Sequence, residues 1–308
     1  MRAKEQKLLE LLKKENIQFT IPVFQRNYSW EVEHCEQLLL DIKEVGNNNQ
    51  IINHFIGSII YLEGKEVEGL TELIVVDGQQ RLTTFFLIFL TMLKIVRSKE
   101  PKDENFEKCI LSFLINKDFS NKFKIKHFND IDITLHEIWL NLDKHKYSFN
   151  RNTRNCNLVD NFEYFVREIN DKDIELIWKG LEKLILIEVQ LNKDRDDAQR
   201  IFQSMNTTGL ELSQADIIRN YIMLKLSDVK QQYLINDIYW EPMQEVLITN
   251  SGGKKDIVSM FIRDFLTLVT ERIPNQKQVY VSFKKYFDSN LDKGALLLRY
   301  SVAYGAHT

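Results

Sequence analysis

The chain has 308 residues, of which 44% are hydrophobic and 28% charged, and its net charge is −3. This composition is typical of a globular protein long enough for two domains. It excludes a strongly basic nucleic-acid binder, so any contact with nucleic acid needs a local patch. The low counts of 4 prolines and 11 glycines indicate mostly regular structure, mainly helical.

The sequence shows no motif for a redox thiol pair, a metal site, a signal peptide or a membrane-spanning segment. The three cysteines form no C-x-x-C pair and indicate reduced thiols in a cytosolic protein. The six histidines show no metal-ligand spacing. The N-terminal stretch MRAKEQKLLELLKKEN is charged throughout, unlike a signal peptide. The longest apolar run, Phe85–Leu93, is too short to span a bilayer. We therefore expect a cytoplasmic protein with no membrane segment.

The first hundred residues predict a mixture of strands and helices. Leucines within Leu8–Leu12 predict a short amphipathic helix, and IQFTIPVF predicts extended chain because Pro22 excludes helix there. A helix is predicted from Trp30, with Ser29 as its N-cap. HFIGSIIYLE and LIVV predict two strands joined by a hairpin connection. A long helix is predicted for Gln79–Arg97.

The pattern after Pro101 is mainly helical. Apolar spacing predicts helices near 106–115, 131–140, 156–169, 196–205 and 256–270, with Ser213 as a further N-cap. The alternating stretch KFKIKHF predicts a short strand, and LEKLILIEVQLN predicts a longer one.

The fold class that follows is α+β. We expect a small strand-and-helix unit over residues 1–100 and a mainly helical region over residues 101–308. A strand near 182–192 is expected to return to the N-terminal sheet.

The stretch ELIVVDGQQRLTTFFLIFL joins an apolar strand to an apolar helix through Asp77, Gly78, Gln79, Gln80 and Arg81. We call this junction the seam. A glycine after a strand lets backbone approach a ligand closely, and the first turn of the next helix has unpaired N–H groups. These features favour an anion, most often a phosphate.

The polar residues of the seam are typical of phosphate chemistry. Arg81 can grip phosphate oxygens with two parallel bonds. Asp77 could hold Mg²⁺, orient water or act as a base, and either glutamine could position an attacking water. The alternative interpretation is structural: Asp77 caps the helix and Arg81 forms an ion pair with it.

A second cluster, FQRNYSW, places Gln25, Arg26, Tyr28 and Trp30 within seven residues. Aromatic rings beside an arginine and a glutamine suit a base or sugar ring with neighbouring phosphates. The alternative is a structural loop in which Tyr28 and Trp30 pack on the core.

A third cluster is FQSMNTTGLELSQADIIRN. Asn206 and Gly209 form a turn, and Ser213 caps a helix that carries Asp216, Arg219 and Asn220. The alternative is a helix–turn–helix with a solvated polar face.

The stretches IPVFQRNYSW, HFIGSIIYLE, VVDGQQRLTT and FQSMNTTGLELSQADIIRN occur in this order. Together they resemble the GmrS-type N-terminal domain of GmrSD-family modification-dependent (type IV) restriction proteins. Phosphorothioate-sensing SspE also looks like a relative. The resemblance covers most of Ile17–Tyr221, and the specific part is DGQQRLTT with an upstream QRNYSW. One departure is Phe24, where tyrosine is common.

The resemblance implies a ParB/sulfiredoxin-like fold at the N-terminus and NTP binding and hydrolysis linked to DNA defence. By motif position it implies a nucleotide and hydrolysis site built from Asp77, Gly78, Gln79, Gln80 and Arg81, with Mg²⁺ as the cofactor. The same carry-over gives Gln25, Arg26, Tyr28, Thr83, Asn206 and Gly209 as nucleotide-binding residues.

The resemblance also implies partners. Proteins of this kind usually continue into an HNH-type nuclease domain, and no such motif occurs in these 308 residues. We therefore expect the nuclease C-terminal to residue 308 or on a partner chain, and modified DNA as a further partner. Self-association is left open.

Two other functions compete with an NTPase. The first is a module that senses nucleotide or modified DNA without turnover, in which Lys122, Lys124 and Lys126 would contact a DNA backbone. The favoured alternative is that these lysines are simply solvated. The second is a purely structural interaction domain with degenerate sites.

Overall fold

A computed structural model describes residues 1–23, 25, 27–67, 69–117, 119, 122–128, 130–144, 156–192, 213–226, 229–254 and 256–290. The chain divides into two compact units. The first comprises Met1–Pro22 and Asn27–Ala198, and the second comprises Val23–Arg26 and Gln199–Thr308. No described helix is both long and apolar enough to cross a membrane.

The first unit combines a six-stranded mixed sheet and a two-stranded sheet with seven described α-helices. Its strands are β1 (Arg2–Lys7), β2 (Ile17–Thr20), β3 (His54–Val67), β4 (Leu70–Asp77), β5 (Ile115–Asn116), β6 (Lys122–Phe123), β7 (Ile125–Lys126) and β8 (Leu184–Leu191). Its helices are α1 (Leu8–Lys13), α2 (Val32–Asn47), α3 (Gln79–Ser98), α4 (Glu104–Leu114), α5 (Asp130–Leu140), α6 (Cys156–Glu168) and α7 (Ile174–Glu182). The fold class is α+β, as predicted.

The main sheet has the strand order β1-β8-β3-β4-β2-β7. β2 is parallel to β4, with Thr20 opposite Ile74, and β4 is antiparallel to β3. β8, at the position of the strand expected near residues 182–192, pairs with β1 and β3. Because β2 and β4 are parallel, their carboxyl ends meet at one edge of the sheet. The chain therefore leaves the sheet at the same edge after Thr20 and after Asp77.

Helix α3 is the centre of the first unit's core. Fifteen of its 20 residues are buried, which is the pattern of a helix enclosed on all sides. It packs against α4 and α6. These contacts place α4 to α7 in the same unit as the sheet, so the boundary that we expected near residue 100 does not coincide with the division of the structure.

Several local predictions are confirmed and others are wrong. The short helix at Leu8 and the long helix after Gly78 form as predicted. Ser29 is not the N-cap of α2; the helix begins at Val32 and is capped by Glu31, which forms a capping box with His34. The stretch KFKIKHF is not one strand, because β6 pairs with β5 and β7 pairs with β2. β1 was not predicted, since its residues are almost all charged or polar.

The second unit is helical where it is described. Its helices are α8 (Gln214–Lys225), α9 (Val229–Ile235), α10 (Glu241–Asn250), α11 (Ile257–Thr270) and α12 (Val279–Ser289). Ser213 is the N-cap of α8 and shares a capping box with Asp216, as predicted. Arg219 and Asn220 are buried, so the alternative of a solvated polar face is wrong for these two residues. Arg219 Nη2 donates to Val23 O and Glu241 Oε1.

Helices α2 and α7 cross at two glycines. A Cβ at Gly180 would lie 2.1 Å from Ile42 O, and a Cβ at Gly46 would lie 2.2 Å from Leu176 O. Both obstacles are backbone carbonyls, which cannot move aside as a flexible side chain would. The crossing therefore requires the absence of a side chain at both positions.

We expect Gly180→Ala to destabilise the protein by about 1–3 kcal/mol, because overpacking outweighs the helix propensity gained from alanine. Urea unfolding should show a lower midpoint for the variant. The control is Lys179→Ala, at the exposed neighbouring position, where the change should stay within about 0.5 kcal/mol. An unchanged midpoint for Gly180→Ala would show that the helices can separate at little cost.

Candidate functional site

The seam begins where β4 ends and turns sharply at Gly78. Gly78 has φ 94° and ψ 5° and is the N-cap of α3, which therefore receives no side-chain cap. A Cβ at this position would lie 2.9 Å from Ser58 O and 3.0 Å from Ile59 Cγ1. The left-handed backbone and the close approach of β3 both require glycine. The start of α3 is therefore fixed against the middle of the sheet.

Arg81 lies across an irregularity in β3. The pairing of β3 with β8 shifts between Phe55 and Ser58, and Gly57 within this bulge has φ 100°. A Cβ at Gly57 would lie 2.7 Å from Arg81 Nη1, so the guanidinium occupies the space over the glycine. Arg81 Nη2 donates to Ser58 O at 2.9 Å. The bulge thus determines where the Arg81 guanidinium lies, over Gly57 and within hydrogen-bond distance of Ser58 O.

Asp77 and Arg81 face each other at the seam. Arg81 Nη2 lies 3.5 Å from Asp77 Oδ2, and each side chain is 26% exposed. The alternative interpretation is thus correct about the ion pair but wrong about the cap, because Gly78 is the N-cap. Arg81 Nε is buried without a hydrogen-bond partner within the described part of the chain. This guanidinium nitrogen keeps a donor that no described residue uses.

Gln80 is tied to the segment 27–30. Its Oε1 accepts hydrogen bonds from the backbone N–H groups of Ser29 at 2.9 Å and Trp30 at 3.2 Å. Its Nε2 donates to Asn27 O at 3.3 Å. These bonds hold the N–H groups of residues 29 and 30 outside α2, which explains why that helix begins later than predicted. Both polar atoms of the Gln80 side chain, Oε1 and Nε2, therefore form hydrogen bonds with residues 27–30.

Two threonines brace the first turn of α3 from the interior. Thr83 and Thr84 are fully buried, and their hydroxyls donate to Gln79 O and Gln80 O, both at 2.8 Å. Thr83 Oγ1 lies 3.0 Å from His127 Nε2. Because the hydroxyl has already given its only proton to a carbonyl, His127 Nε2 must carry a proton and donate it.

Tyr28 supports the first turn of α3 through Thr84, as His127 does through Thr83. Its hydroxyl lies 2.7 Å from Thr84 Oγ1, and by the same reasoning the tyrosine donates. Asn161 Nδ2 donates to the Tyr28 hydroxyl at 3.0 Å and to Trp30 O at 2.8 Å. Tyr28 is 3% exposed, so the alternative interpretation of FQRNYSW, packing on the core, is correct for this residue. Burial raises the pKa of Tyr28 well above its ordinary value.

The structure brings only part of the predicted site together. Asp77, Gly78, Gln79, Gln80 and Arg81 are contiguous at the seam, with Gln79 8% and Gln80 7% exposed. Tyr28 and Thr83 lie beneath the first turn of α3. Gln25 is buried and belongs to the second unit. Arg26, Asn206 and Gly209 lie outside the described residues, so their nucleotide-binding roles stay predictions.

The prediction that Lys122, Lys124 and Lys126 contact a DNA backbone is wrong for Lys124. Lys124 is 4% exposed and its Nζ donates to Lys14 O, so it is not available to a DNA backbone. Burial lowers the pKa of Lys124. Lys122 and Lys126 flank it but belong to different sheets. The alternation expected of a single strand is therefore absent.

Two buried residues of this region were missed by the sequence analysis. His127 supports Thr83, and Asn161 supports Tyr28 and residue 30. His127 lies in the stretch KFKIKHF and Asn161 lies in a predicted helix, but nothing in one sequence links either to the seam. Their role depends on contacts across 44 and 133 residues.

Asp77 is the carboxylate that the seam offers to a metal ion. No group of three or more metal-ligating side chains converges within the described residues. A magnesium ion is commonly held by one or two carboxylates together with substrate phosphates and water. A single, partly exposed carboxylate beside an arginine fits that mode, with the substrate supplying the other ligands.

We expect Gln80→Ala to loosen the 27–30 segment, since it removes the acceptor of two backbone N–H groups. Each unsatisfied N–H costs about 1–3 kcal/mol when buried. Hydrogen exchange should be faster at the Ser29 and Trp30 amides, while Gln37→Ala, on an exposed face of α2, leaves both unchanged. Unaltered protection in Gln80→Ala would contradict the assigned bonds.

The buried His127 should make stability depend on pH. Burial lowers the pKa of His127 from 6.5 to about 3, because the charged form is desolvated. Between these values the unfolded chain binds a proton that the folded protein does not, so stability is lost as pH falls from 6.5. Relative to His127→Gln, the wild type should lose up to about 1.4 kcal/mol per pH unit in this window.

Urea unfolding at pH 7 and pH 5 measures this difference. His54→Gln, at a half-buried histidine, is the control. An equal pH dependence in the wild type and His127→Gln would show that His127 titrates in the folded protein as it does in the unfolded chain.

Comparison with known proteins places this site in a family. No curated protein matches the chain. The family described as GmrSD restriction endonuclease, N-terminal domain, matches residues 8–223, well over half of the chain. The matched range includes the seam, the 27–30 segment, His127, Asn161 and the start of α8. The chain belongs to the GmrSD restriction endonuclease N-terminal domain family.

Proposed function

We propose that this domain binds and hydrolyses a nucleoside triphosphate at the seam, as the regulatory module of a modification-dependent restriction protein. Membership of a restriction endonuclease family supports the defence role. The observation that carries the nucleotide assignment is Arg81, whose Nε is buried and has no hydrogen-bond partner among the described residues, beside a helix start that no side chain caps. Both features call for an anionic acceptor.

Phosphate binding would use backbone and arginine together. The first N–H groups of α3 have no acceptor within the helix, and the positive end of the helix dipole favours negative charge. Arg81 stands in this first turn, where a cation is unfavourable with the dipole unless an anion is present. The guanidinium is held in place by Ser58 O rather than by the ligand, so little ordering is needed on binding.

The hydrolytic step would use the remaining polar groups. Asp77 would hold a magnesium ion, which neutralises phosphate charge, or would accept a proton from the attacking water. Water would attack the γ-phosphorus, and the nucleoside diphosphate would leave. Either Gln79 or Gln80 would position that water, and the Gln80 amide also holds residues 27–30.

The other predicted residues take supporting roles in this proposal. Tyr28 and Thr83 act through the first turn of α3, since both are buried under it. The nucleotide-binding roles of Gln25, Arg26, Asn206 and Gly209 stay predictions from the family resemblance. The relation to SspE and to the ParB/sulfiredoxin fold also stays a prediction.

The proposed setting is a cytoplasmic defence system. Modified DNA is proposed to regulate turnover, and a nuclease domain would act either C-terminal to residue 308 or in trans. Self-association stays open.

A second function, nucleotide sensing without turnover, is favoured by the small number of catalytic groups. Among the described residues, Asp77 is the only carboxylate assigned to the seam, and one of its two glutamines is committed to structure. In this case the triphosphate would bind and order the first turn of α3 without being cleaved. Nucleotide binding with no phosphate release, with or without modified DNA, would select this function.

The decisive experiment is a phosphate-release assay across four NTPs, with unmodified and modified DNA added in turn. We expect Arg81→Ala to weaken nucleotide binding about 10- to 100-fold, the loss of one charge-assisted contact, and to reduce release accordingly. Arg167→Ala, at an exposed arginine of α6, is the matched control and should behave as the wild type. Equal release by the wild type and Arg81→Ala would remove the assignment.

A further inference from the structure

Asn161 of α6 is a fully buried amide at the end of a hydrogen-bond network that reaches the seam. Its Nδ2 donates to the Tyr28 hydroxyl at 3.0 Å and to Trp30 O at 2.8 Å. Its Oδ1 is buried and has no hydrogen-bond partner among the described residues. An unsatisfied acceptor costs stability that a leucine of similar size would not. The two bonds from Nδ2 are therefore what this position gains from asparagine.

Two routes lead from Asn161 to Gln80. In the first, the Tyr28 hydroxyl donates to Thr84 Oγ1 at 2.7 Å, and the Thr84 hydroxyl donates to Gln80 O at 2.8 Å. In the second, Trp30 accepts from Asn161 through its carbonyl oxygen and donates to Gln80 Oε1 through its N–H at 3.2 Å. Asn161 is thus connected to both the backbone and the side chain of Gln80. Every link lies within the first unit.

This network fixes the orientation of the Gln80 amide. Oε1 accepts from the N–H groups of Ser29 and Trp30, so exchanging the amide oxygen and nitrogen would place donors against donors. Nε2 donates one hydrogen to Asn27 O at 3.3 Å. The second hydrogen of Nε2 has no acceptor among the described residues, and its direction is fixed because the amide is planar. Gln80 therefore keeps one oriented donor.

The side chain of Arg81 is anchored separately. Its Nη2 donates to Ser58 O at 2.9 Å, and its guanidinium lies over Gly57 of β3. Neither contact involves Asn161. The adjacent side chains of Gln80 and Arg81 thus have independent supports, the first from α6 through residues 27–30 and the second from β3.

We propose that Asn161 is a positioning residue of the nucleotide site, which holds the Gln80 amide in the orientation required for turnover and leaves phosphate binding to Arg81 and the start of α3. This inference rests on the proposed function, because turnover is the property that Asn161 controls. The oriented N–H of Gln80 donates to a water or phosphate oxygen during hydrolysis, and its value depends on being fixed before the substrate arrives.

Asn161→Leu tests the role, because it removes both donors and approximately keeps the size of the side chain. We expect kcat for phosphate release to fall about 10- to 100-fold, the cost of a misplaced catalytic group. The affinity for a non-hydrolysable NTP analogue should stay within about twofold, since the binding groups are anchored elsewhere. Asn157→Leu, at a partly exposed position of the same helix, is the matched control and should retain both values.

A second readout needs no nucleotide. In an NMR spectrum of the full chain, the two side-chain amide hydrogens of Gln80 should move towards the signals of a solvated glutamine in Asn161→Leu. The signals of Gln37, which is exposed on α2, should stay in place. Tyr28→Phe removes the route through Thr84 and keeps the route through Trp30, so we expect a smaller fall in kcat than in Asn161→Leu.

The outcomes separate this role from the proposed function. A wild-type kcat in folded Asn161→Leu, or weaker analogue binding with unchanged kcat, overturns the positioning role. Absence of phosphate release by the wild-type protein with every NTP overturns the proposed function instead. The Gln80 signals then decide alone: unchanged signals in Asn161→Leu overturn the positioning of Gln80, and displaced signals support it. If a melting curve shows that Asn161→Leu does not fold, Tyr28→Phe replaces it under the same criteria.

Discussion

The contact between Gly78 and strand β3 is the constraint on which the site depends. With φ at 94° and the Ser58 carbonyl oxygen 2.9 Å from where a Cβ would lie, no other residue allows the chain to turn there from strand to helix. This contact sets α3 against the sheet, and the bulge at Gly57 makes room for the guanidinium of Arg81 in the same place. Gly57 within β3 and Gly78 at the N-cap of α3 thus determine where the Arg81 guanidinium and the first turn of α3 lie.

The first turn of α3 is held from below on two sides. Thr83 receives a hydrogen bond from His127, and Thr84 receives one from Tyr28, which is itself held by Asn161. These hydrogen bonds hold the first turn of α3 rigid. Backbone donors that are already fixed in place lose little conformational entropy when they bind an anion.

Much of the architecture follows from local pattern. Alternation predicted β8, the strand-like stretches before and after Gly64 predicted β3 and β4, and Ser213 was correctly predicted as an N-cap. Local reasoning failed where a distant residue competes for the backbone. Ser29 does not cap α2 because Gln80, 51 residues away, holds its N–H. A charged edge strand such as β1 escaped notice because hydrophobic alternation is its usual signal.

The order of residues alone established that Asp77, Gly78 and Arg81 stand together between a strand and a helix, because neighbours in the chain remain neighbours in space. It could not separate the two glutamines, show that Tyr28 is buried, or show that Lys124 turns away from its flanking lysines. Those outcomes were decided by packing and hydrogen bonds between segments far apart in the chain. One sequence does not show which distant segments come into contact. The sheet and α3 bring those segments together in the folded protein.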